Sequence, residues 1–318
     1  MKTIIGSWLI AALALSCSNF AAAQRQLPPM KIEQLTKSVY RYGGLTNGAF
    51  VVGKDAVAVI DGQICGSNGT QWLKDELKKR YPGIPVKYTI LSHDHEMHIC
   101  GLEVFSDTAI AISHVNAKSH IIREHRRTVI PTVTFDTQME IDVGGVAIDL
   151  IYLGPTHGDN LIQVHIPSEK VLIAVDFVRT GKSLAMPELR DLNIDNSIRA
   201  LGILGRMENV DIVVPGHGGV TNQQAFIYVR DYLVALKERV LDQMVAGKGI
   251  EEILETVTMD DFSDYGWFKQ WRRANVITMW EQMYHYREPT DGAPNSDGYE
   301  ENFPPGFPVG NTDKFNGP

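Results

Sequence analysis

The spacing of apolar positions changes along the chain and separates a strand-rich part from a helical part. Short apolar runs divided by Gly-rich turns fill residues 39–61, which predicts three strands in close succession. An amphipathic stretch at 67–81 ends at Pro82-Gly83 and predicts a helix, and the apolar run at 86–91 predicts another strand. A strand–helix–strand order implies a crossover connection and at least one parallel pair of strands.

Strands dominate the middle of the chain, and helices dominate its last third. Further apolar runs predict strands at 109–112, 132–135, 160–166, 170–177 and 210–216, and within the run at 139–153 Val143-Gly144-Gly145 predicts a hairpin turn. From Thr221 to Gly247 apolar residues recur at helical spacing, and two more helices are predicted around 249–257 and 266–286. The last of these carries Trp267, Trp271 and Trp280, which we expect to pack in the core. The chain is therefore predicted to be an α/β protein.

The two ends of the chain differ from the rest. Residues 1–23 combine Lys2, a short apolar run and a small-residue end, which is typical of a secretory signal peptide. The apolar run is too short to span a bilayer. Residues 24–287 are predicted to form one folded domain, and residues 288–318 are a tail rich in Pro, Gly and Asn without periodicity. We therefore expect a periplasmic or secreted protein without a membrane span.

Charge and cysteine content narrow the possible partners. The formal net charge is −8, which argues against nucleic acid because phosphate binding requires clustered Lys and Arg. A small-molecule substrate is the expected partner. Behind the leader two cysteines remain, Cys65 and Cys100, and export would place them where disulfides form. One disulfide and two buried free thiols both remain open.

Three histidines fall within six residues directly after a predicted strand, at His93, His95 and His98. Side chains two apart on an extended segment point the same way, so His93 and His95 can reach one ion together. His98 would enter the next turn and face a neighbouring position. Neutral imidazole is a common zinc ligand, so this segment predicts a metal site.

Three further donors stand where predicted strands end, namely His157, Asp176 and His217. A rigid sheet can hold side chains at such positions in a fixed geometry. Each one alone is weak evidence, because Asp often forms turns and a single His is usually structural. Together with the triple-histidine segment they predict a metal centre built from separate loops.

The order and spacing of these motifs resemble those of the metallo-β-lactamase superfamily over about residues 38–286. The resemblance implies a four-layer αββα sandwich, followed here by a C-terminal helical segment, with a dinuclear metal site along one edge of the two sheets. The family motif H-x-H-x-D-H maps onto His93, His95 and His98, with Met97 in place of its Asp.

By this resemblance two neighbouring ligand sets are expected. The first would be His93, His95 and His157, and the second would be His98, Asp176 and His217. Asp176 would bridge both ions or serve the second alone. The resemblance implies one or two Zn²⁺ ions and a hydrolase that uses a metal-bound hydroxide to cleave an ester, lactone, lactam or related bond. The expected catalytic residues are His93, His95, His157 and Asp176.

Residues around the ligands also match or depart from the family pattern. Asp61 matches a buried strand-end Asp that orders the metal loop, and Asp94 and Glu96 are expected to support ligands rather than bind metal. Met97 has a neutral thioether, which is a poor partner for zinc and cannot accept a proton, so the second ion is expected to bind more weakly.

Two alternatives remain open. Loss of the Asp at position 97 would also fit a degenerate metal-binding protein without hydrolytic activity. An iron-dependent oxidative member of the family would use two His and one Asp, a set that His98, Asp176 and His217 would supply.

Overall fold

The structure is a computed structural model that describes residues 27–285. The predicted signal peptide and the predicted tail lie outside the described residues. Within the described range no helix is both long enough and apolar enough to cross a membrane.

The first sheet contains seven strands that lie side by side in the order of the sequence. They are β1 (Lys31–Gln34), β2 (Val39–Gly43), β3 (Asn47–Val52), β4 (Val57–Ile60), β5 (Val86–Ile90), β6 (Ile110–His114) and β7 (Val133–Phe135). Strands β1 to β4 pair antiparallel, and β4 to β7 pair parallel. The helices of this half are α1 (Gly69–Arg80), the short α2 (Glu96–Ile99) and α3 (Val115–Arg123). The crossover predicted from the strand–helix–strand order is confirmed, because α1 joins β4 to its parallel neighbour β5.

The second sheet contains five strands in the order β12-β11-β10-β9-β8. They are β8 (Gln138–Asp142), β9 (Ala147–Tyr152), β10 (Ile162–Ile166), β11 (Val171–Ala174) and β12 (Ile212–Pro215). All neighbours pair antiparallel except β11 and β12, which are parallel and joined through α4 (Ile194–Leu204). The hairpin predicted within 139–153 is confirmed, because β8 and β9 pair antiparallel on either side of residues 143–146.

The last third of the described chain is helical, as its apolar spacing predicts. It contains α5 (Gln224–Val245), α6 (Ile250–Thr256) and α7 (Phe268–His285). Trp271 and Trp280 pack against the helical core, but Trp267 is 49% exposed. The prediction that Trp267 belongs to the core is therefore wrong, because it precedes α7 and stays at the surface.

Three apolar cores lie between the layers. Successive residues of a strand point to opposite faces of its sheet, so one strand contributes side chains to two cores. Phe50 of β3 joins the core beneath α1 and α3, whereas its neighbours Ala49 and Val51 join the core between the two sheets. On the second sheet, Leu172 and Ala174 of β11 pack under α4, α5 and α7. The layers thus run helix, sheet, sheet, helix, which confirms the αββα sandwich with its C-terminal helices.

Candidate metal centre

The predicted donors lie on loops at one edge of both sheets. His93, His95 and His98 follow β5, His157 lies between β9 and β10, and Asp176 and His217 follow β11 and β12. The structure brings these distant residues together. In each of two groups the donor atoms lie within 4.8 Å of one another; the groups are His93, His95, His157 and Asp176, and His98, Asp176 and His217.

Asp176 stands between the two groups. Its Oδ2 lies 3.0 Å from Nε2 of His98, 3.7 Å from Nε2 of His93 and 3.9 Å from Nε2 of His157. Its Oδ1 lies 3.3 Å from Nε2 of His217. On the other side of the first group, Nδ1 of His95 lies 3.2 Å from Nε2 of His157. The Asp176 carboxylate therefore lies close to both histidines of the second group and to two of the three histidines of the first.

A buried relay fixes which nitrogen of His93 faces the centre. Asp61 accepts hydrogen bonds from the backbone N–H and the hydroxyl of Ser92, each at 2.7 Å. Because that hydroxyl donates to Asp61, its oxygen accepts from Nδ1 of His93 at 2.8 Å. Nε2 of His93 is then the unprotonated nitrogen and presents its lone pair to the other donors. Burial raises the pKa of Asp61 to about 6, so it is ionised at neutral pH.

The short helix α2 sets the positions of His95 and His98. The carbonyl of His95 accepts the N–H of His98 at 3.0 Å, which turns the chain immediately after the extended His93–His95 segment. The carbonyl of His98 in turn accepts the N–H of Gly62 at 2.6 Å. These bonds explain why His98 joins the neighbouring group rather than the first one.

The loop that carries His217 is held by Asn47 at the start of β3. The Asn47 N–H donates to the carbonyl of Gly216, and its side chain donates to the carbonyls of Pro215 and Gly218, all at 2.8 Å. A Cβ on Gly216 would lie 2.5 Å from Oδ1 of Asp176, so only glycine allows this close approach. Neither Asn47 nor Ser92 was among the predicted residues.

Burial keeps three of the histidines neutral. It lowers the pKa of His93 well below its usual range, that of His157 to about 4, and that of His217 below its ordinary value. Their rings therefore offer lone pairs at neutral pH, which is the form that binds metal.

His98 and Asp176 behave as an ion pair. Burial alone would lower the pKa of His98, but the charges of Asp176 and Asp61 outweigh it and leave this pKa raised. Burial alone would raise the pKa of Asp176, but its interactions with His98 and His93 hold it well below the usual range. The centre therefore contains one firmly ionised carboxylate among imidazoles.

The donor atoms fit a metal ion. Nε2 of His93, Nε2 of His98 and Oδ1 of Asp176 are buried and have no hydrogen-bond partner among the described residues. Although His98 and Asp176 are close, their relative orientation does not form a hydrogen bond. Buried polar atoms without partners are costly unless something binds them. Imidazole and carboxylate donors at this spacing suit zinc and similar divalent ions.

Comparison with known proteins agrees with this geometry. A sequence model of the Metallo-beta-lactamase superfamily matches residues 41–217, more than half of the chain. The chain belongs to this superfamily.

The similarity extends to individual members of the superfamily. A metallo-beta-lactamase type 2 of Elizabethkingia meningoseptica is 24% identical over 71% of this chain and 94% of its own length. The 2,4-dinitroanisole O-demethylase subunit alpha of a Nocardioides species is 26% identical over 82% of this chain and 80% of its own length. Among solved structures, a metallo-beta-lactamase from Pontibacter korlensis has a TM-score of 0.57 at 20% identity, covering 64% of this chain and 99% of its own. The structural likeness shows the fold.

The carboxylates beside the donors make hydrogen bonds with other residues. Asp94 is buried and accepts from Asn160 at 3.0 Å and from Arg126 at 3.4 Å. Glu96 accepts from the backbone N–H of Arg127 at 2.8 Å. Both therefore contact the residues that frame the metal loop, and neither belongs to a donor group. Met97 is 43% exposed at the same loop.

Cys65 and Cys100 form a disulfide. This bond, together with a bridge between Gln63 and Cys100, joins the loop after β4 to the end of α2, two residues beyond His98. Of the two alternatives that the sequence leaves open, the structure contains the disulfide, which links the loop after β4 to the segment that carries the three histidines.

Sequence reasoning missed one charged residue beside the centre, Arg179. It follows Asp176 by three residues, and its charge contributes to the lowered pKa of His217, for which burial is the main cause. Its Nε donates to the carbonyl of Ala185 at 3.0 Å, and its guanidinium lies over the ring of Trp271. A single Arg in a loop carries no sequence signal, so only the fold reveals this position.

Proposed function

We propose that this protein is an exported zinc-dependent hydrolase that cleaves an ester, lactone, lactam or related bond of a small-molecule substrate. The observation that carries the proposal is the convergence of two donor groups that share Asp176 at the edge of the two sheets. The catalytic residues in this proposal are His93, His95, His157 and Asp176.

The chain's own residues prepare the chemistry in distinct ways. His93, His95 and His157 would hold one ion through three imidazoles, which leaves a coordination position open for water or substrate. When bound, zinc supplies a nucleophile from water near neutral pH and stabilises negative charge that develops on the substrate. Asp176 is ionised and lies between the groups, where it can orient a water molecule or take a proton at Oδ1 or Oδ2.

The proposal includes a second, weaker ion at His98, Asp176 and His217. These three donors lie together without any contribution from position 97. Replacement of a family Asp by Met97 removes one negative charge from the vicinity but leaves this donor group intact. The first group does not involve position 97, so Met97 does not by itself argue for an inactive protein.

The composition of the second group favours one alternative function. Two histidines and one carboxylate are also the donors that bind non-haem iron in oxygenases. The relatives leave this choice open, since one is named a beta-lactamase and another an O-demethylase. Metal analysis of the purified protein separates the two functions, because the oxidative alternative requires iron.

The experiment combines metal analysis with turnover of lactam, lactone, thioester, phosphodiester and sulfate substrates. We expect zinc at one to two ions per chain and hydrolysis of at least one substrate class. His157→Ala should lower turnover at least about 100-fold, because it removes a ligand of the first ion. His125→Asn is the matched control, since His125 is exposed and its φ of 53° suits Asn. Absence of any turnover at full zinc occupancy would contradict the proposal.

A further inference from the structure

Two separate segments of the chain carry the histidines of the first donor group. His93 and His95 lie on the loop after β5, and His157 lies on the turn before β10. Nδ1 of His95 and Nε2 of His157 are 3.2 Å apart. One ion can bind all three rings only while the two segments keep their relative position, because Zn–N distances are short, about 2.0–2.1 Å. The contacts that join the two segments therefore influence metal affinity.

Within the described chain, two hydrogen bonds join these segments at atoms other than the metal donors. The N–H of Ile162 donates to the carbonyl of Ser92 at 2.9 Å. The side-chain Nδ2 of Asn160 donates to Oδ1 of Asp94 at 3.0 Å. One of the two anchored residues of the metal loop lies on each side of His93. Without Asn160, the metal loop would be tied to the second segment at Ser92 alone and could rotate about that point.

The turn that carries Asn160 is itself held at several points. Nδ2 of Asn160 also donates to Oδ1 of Asp159 at 3.1 Å, and Nε2 of His120 donates to the same oxygen at 2.7 Å. The carbonyl of Asp159 accepts from the Tyr152 hydroxyl at 2.7 Å and from Nδ2 of Asn116 at 3.0 Å. The turn is therefore anchored to α3 and β9, and Asn160 connects this anchored turn to the metal loop.

The pairing of the Asn160 side chain distinguishes its role from that of core packing. The residue is 3% exposed, and its Oδ1 has no hydrogen-bond partner among residues 27–285. A buried acceptor without a partner costs about 1–3 kcal/mol, so packing alone does not favour an amide at this position. Its NH₂ group, in contrast, donates to the carboxylates of both Asp94 and Asp159. The amide is therefore explained by these two bonds.

We propose that Asn160 is a positioning residue for the first ion, because its bond to Asp94 keeps His93 and His95 at binding distance from His157. This inference rests on the proposed function, since it concerns the ion that the proposal places at the first group. The hydrogen bonds of Asn160 are to Asp94 and Asp159 and not to a donor atom, so it acts through the position of the metal loop. Outer residues of this kind change metal affinity about 10–100-fold.

The test measures zinc affinity by competition with a chromogenic chelator, in two backgrounds that separate the donor groups. His217→Ala removes a donor of the second group and leaves the first group intact. In this background Asn160→Ala should lower zinc affinity about 10–100-fold. His157→Ala leaves the second group intact, and there Asn160→Ala should change the affinity by less than about twofold. Loss of affinity at both groups would overturn the inference, because it would show general damage to the fold.

A double-mutant cycle tests whether Asn160 acts through Asp94. Once Asp94→Ala has removed the acceptor, Asn160→Ala should lower the affinity of the first group by less than about threefold more. Fully additive losses would overturn the inference. Asn116→Ala is the matched control, since Asn116 also donates to Asp159 but makes no hydrogen bond to Asp94. This control should leave zinc affinity within about twofold of its background.

A second variant separates the hydrogen bonds of Asn160 from its volume. Asn160→Leu has a side chain of similar size without an N–H, so we expect the same loss of zinc affinity as in Asn160→Ala. A leucine variant that binds zinc as tightly as its background would overturn the inference. Urea unfolding in the presence of a chelator shows that each variant is folded before its affinity is measured.

These measurements do not depend on turnover. A protein in which Asn160→Ala weakens the first ion as expected, but which hydrolyses nothing, would contradict the proposed function and leave the role of Asn160 in place. A protein that hydrolyses a substrate, but whose first ion is unaffected by Asn160→Ala, would do the reverse.

Discussion

Removal of the disulfide between Cys65 and Cys100 tests how much this bond contributes to stability. The two residues are separated by 35 positions, and the loop that they close contains α1, β5 and the histidines of the metal loop. The proposed perturbation is the double variant Cys65→Ala/Cys100→Ala, which removes both thiols and so prevents new pairings.

The magnitude follows from the length of the closed loop. Crosslinking restricts the unfolded chain, and the entropy of closing a loop of 35 residues corresponds to about 4 kcal/mol at 25 °C. The folded state keeps the surrounding contacts, including the bond from the Thr70 hydroxyl to the carbonyl of Cys100 at 2.8 Å. We therefore expect the double variant to lose about 4 kcal/mol of unfolding free energy, a change of about a thousandfold in the folding equilibrium constant.

Urea denaturation followed by tryptophan fluorescence measures this loss, with a chelator present so that metal binding does not contribute. Thiol titration of the unfolded wild type confirms that the bond is formed. Dithiothreitol should lower the stability of the wild type to that of the variant and leave the variant unchanged. A loss below about 1 kcal/mol would refute the reasoning, because the loop would then already be restricted in the unfolded chain.

Three further predictions concern the metal centre. Met97→Asp adds a carboxylate next to the second group, so we expect the second ion to bind at least about tenfold more tightly. Elemental analysis measures its occupancy, and an unchanged occupancy would contradict the match of position 97 with the family's metal-binding Asp. Ser92→Ala breaks the relay from Asp61 to His93, and metal affinity in competition with a chromogenic chelator should fall about 10–100-fold, whereas an unaltered affinity would show that the relay does not orient the ring. The charges of Asp176 and Asp61 raise the pKa of His98, so protonation of metal-free His98 competes with the second ion, which binds more weakly as the pH falls. Binding should then release protons, to an extent that grows as the pH falls, measured by calorimetry in buffers of different ionisation enthalpy. No release at any pH would contradict the assigned charge of His98.

Local patterns predict much of this fold because its strands and long helices have clear apolar spacing. The apolar run before His93 and the run that ends near Asp176 are buried strands, so the donors at their ends could be predicted from the sequence. Helix α4 was missed, although Asn193 caps it by accepting the N–H of Asn196 at 3.0 Å. A single capping residue in a long connection is a weaker signal than a repeated apolar period.

Contacts between distant segments limited the prediction of the site. The sequence offered Cys65 and Cys100 but not the separation between them, which depends on how the loop after β4 meets α2. Likewise Asn47 is an ordinary strand residue until β3 is placed next to β12, where its side chain holds the loop of His217. Residues that support a site through such contacts have no motif of their own.

The donors come from both sheets, so metal binding depends on the packing of the two halves of the sandwich against each other. Neither half of the sandwich carries a complete donor set, because the first contributes three histidines and the second contributes the remaining three donors. A chain still lacking residue 217 would be missing one donor of the second group. An ion that binds donors of both halves stabilises the folded state, because the unfolded chain does not bring these donors together. At a free concentration 100 times its dissociation constant, the ion would add about 2.7 kcal/mol to the free energy of unfolding.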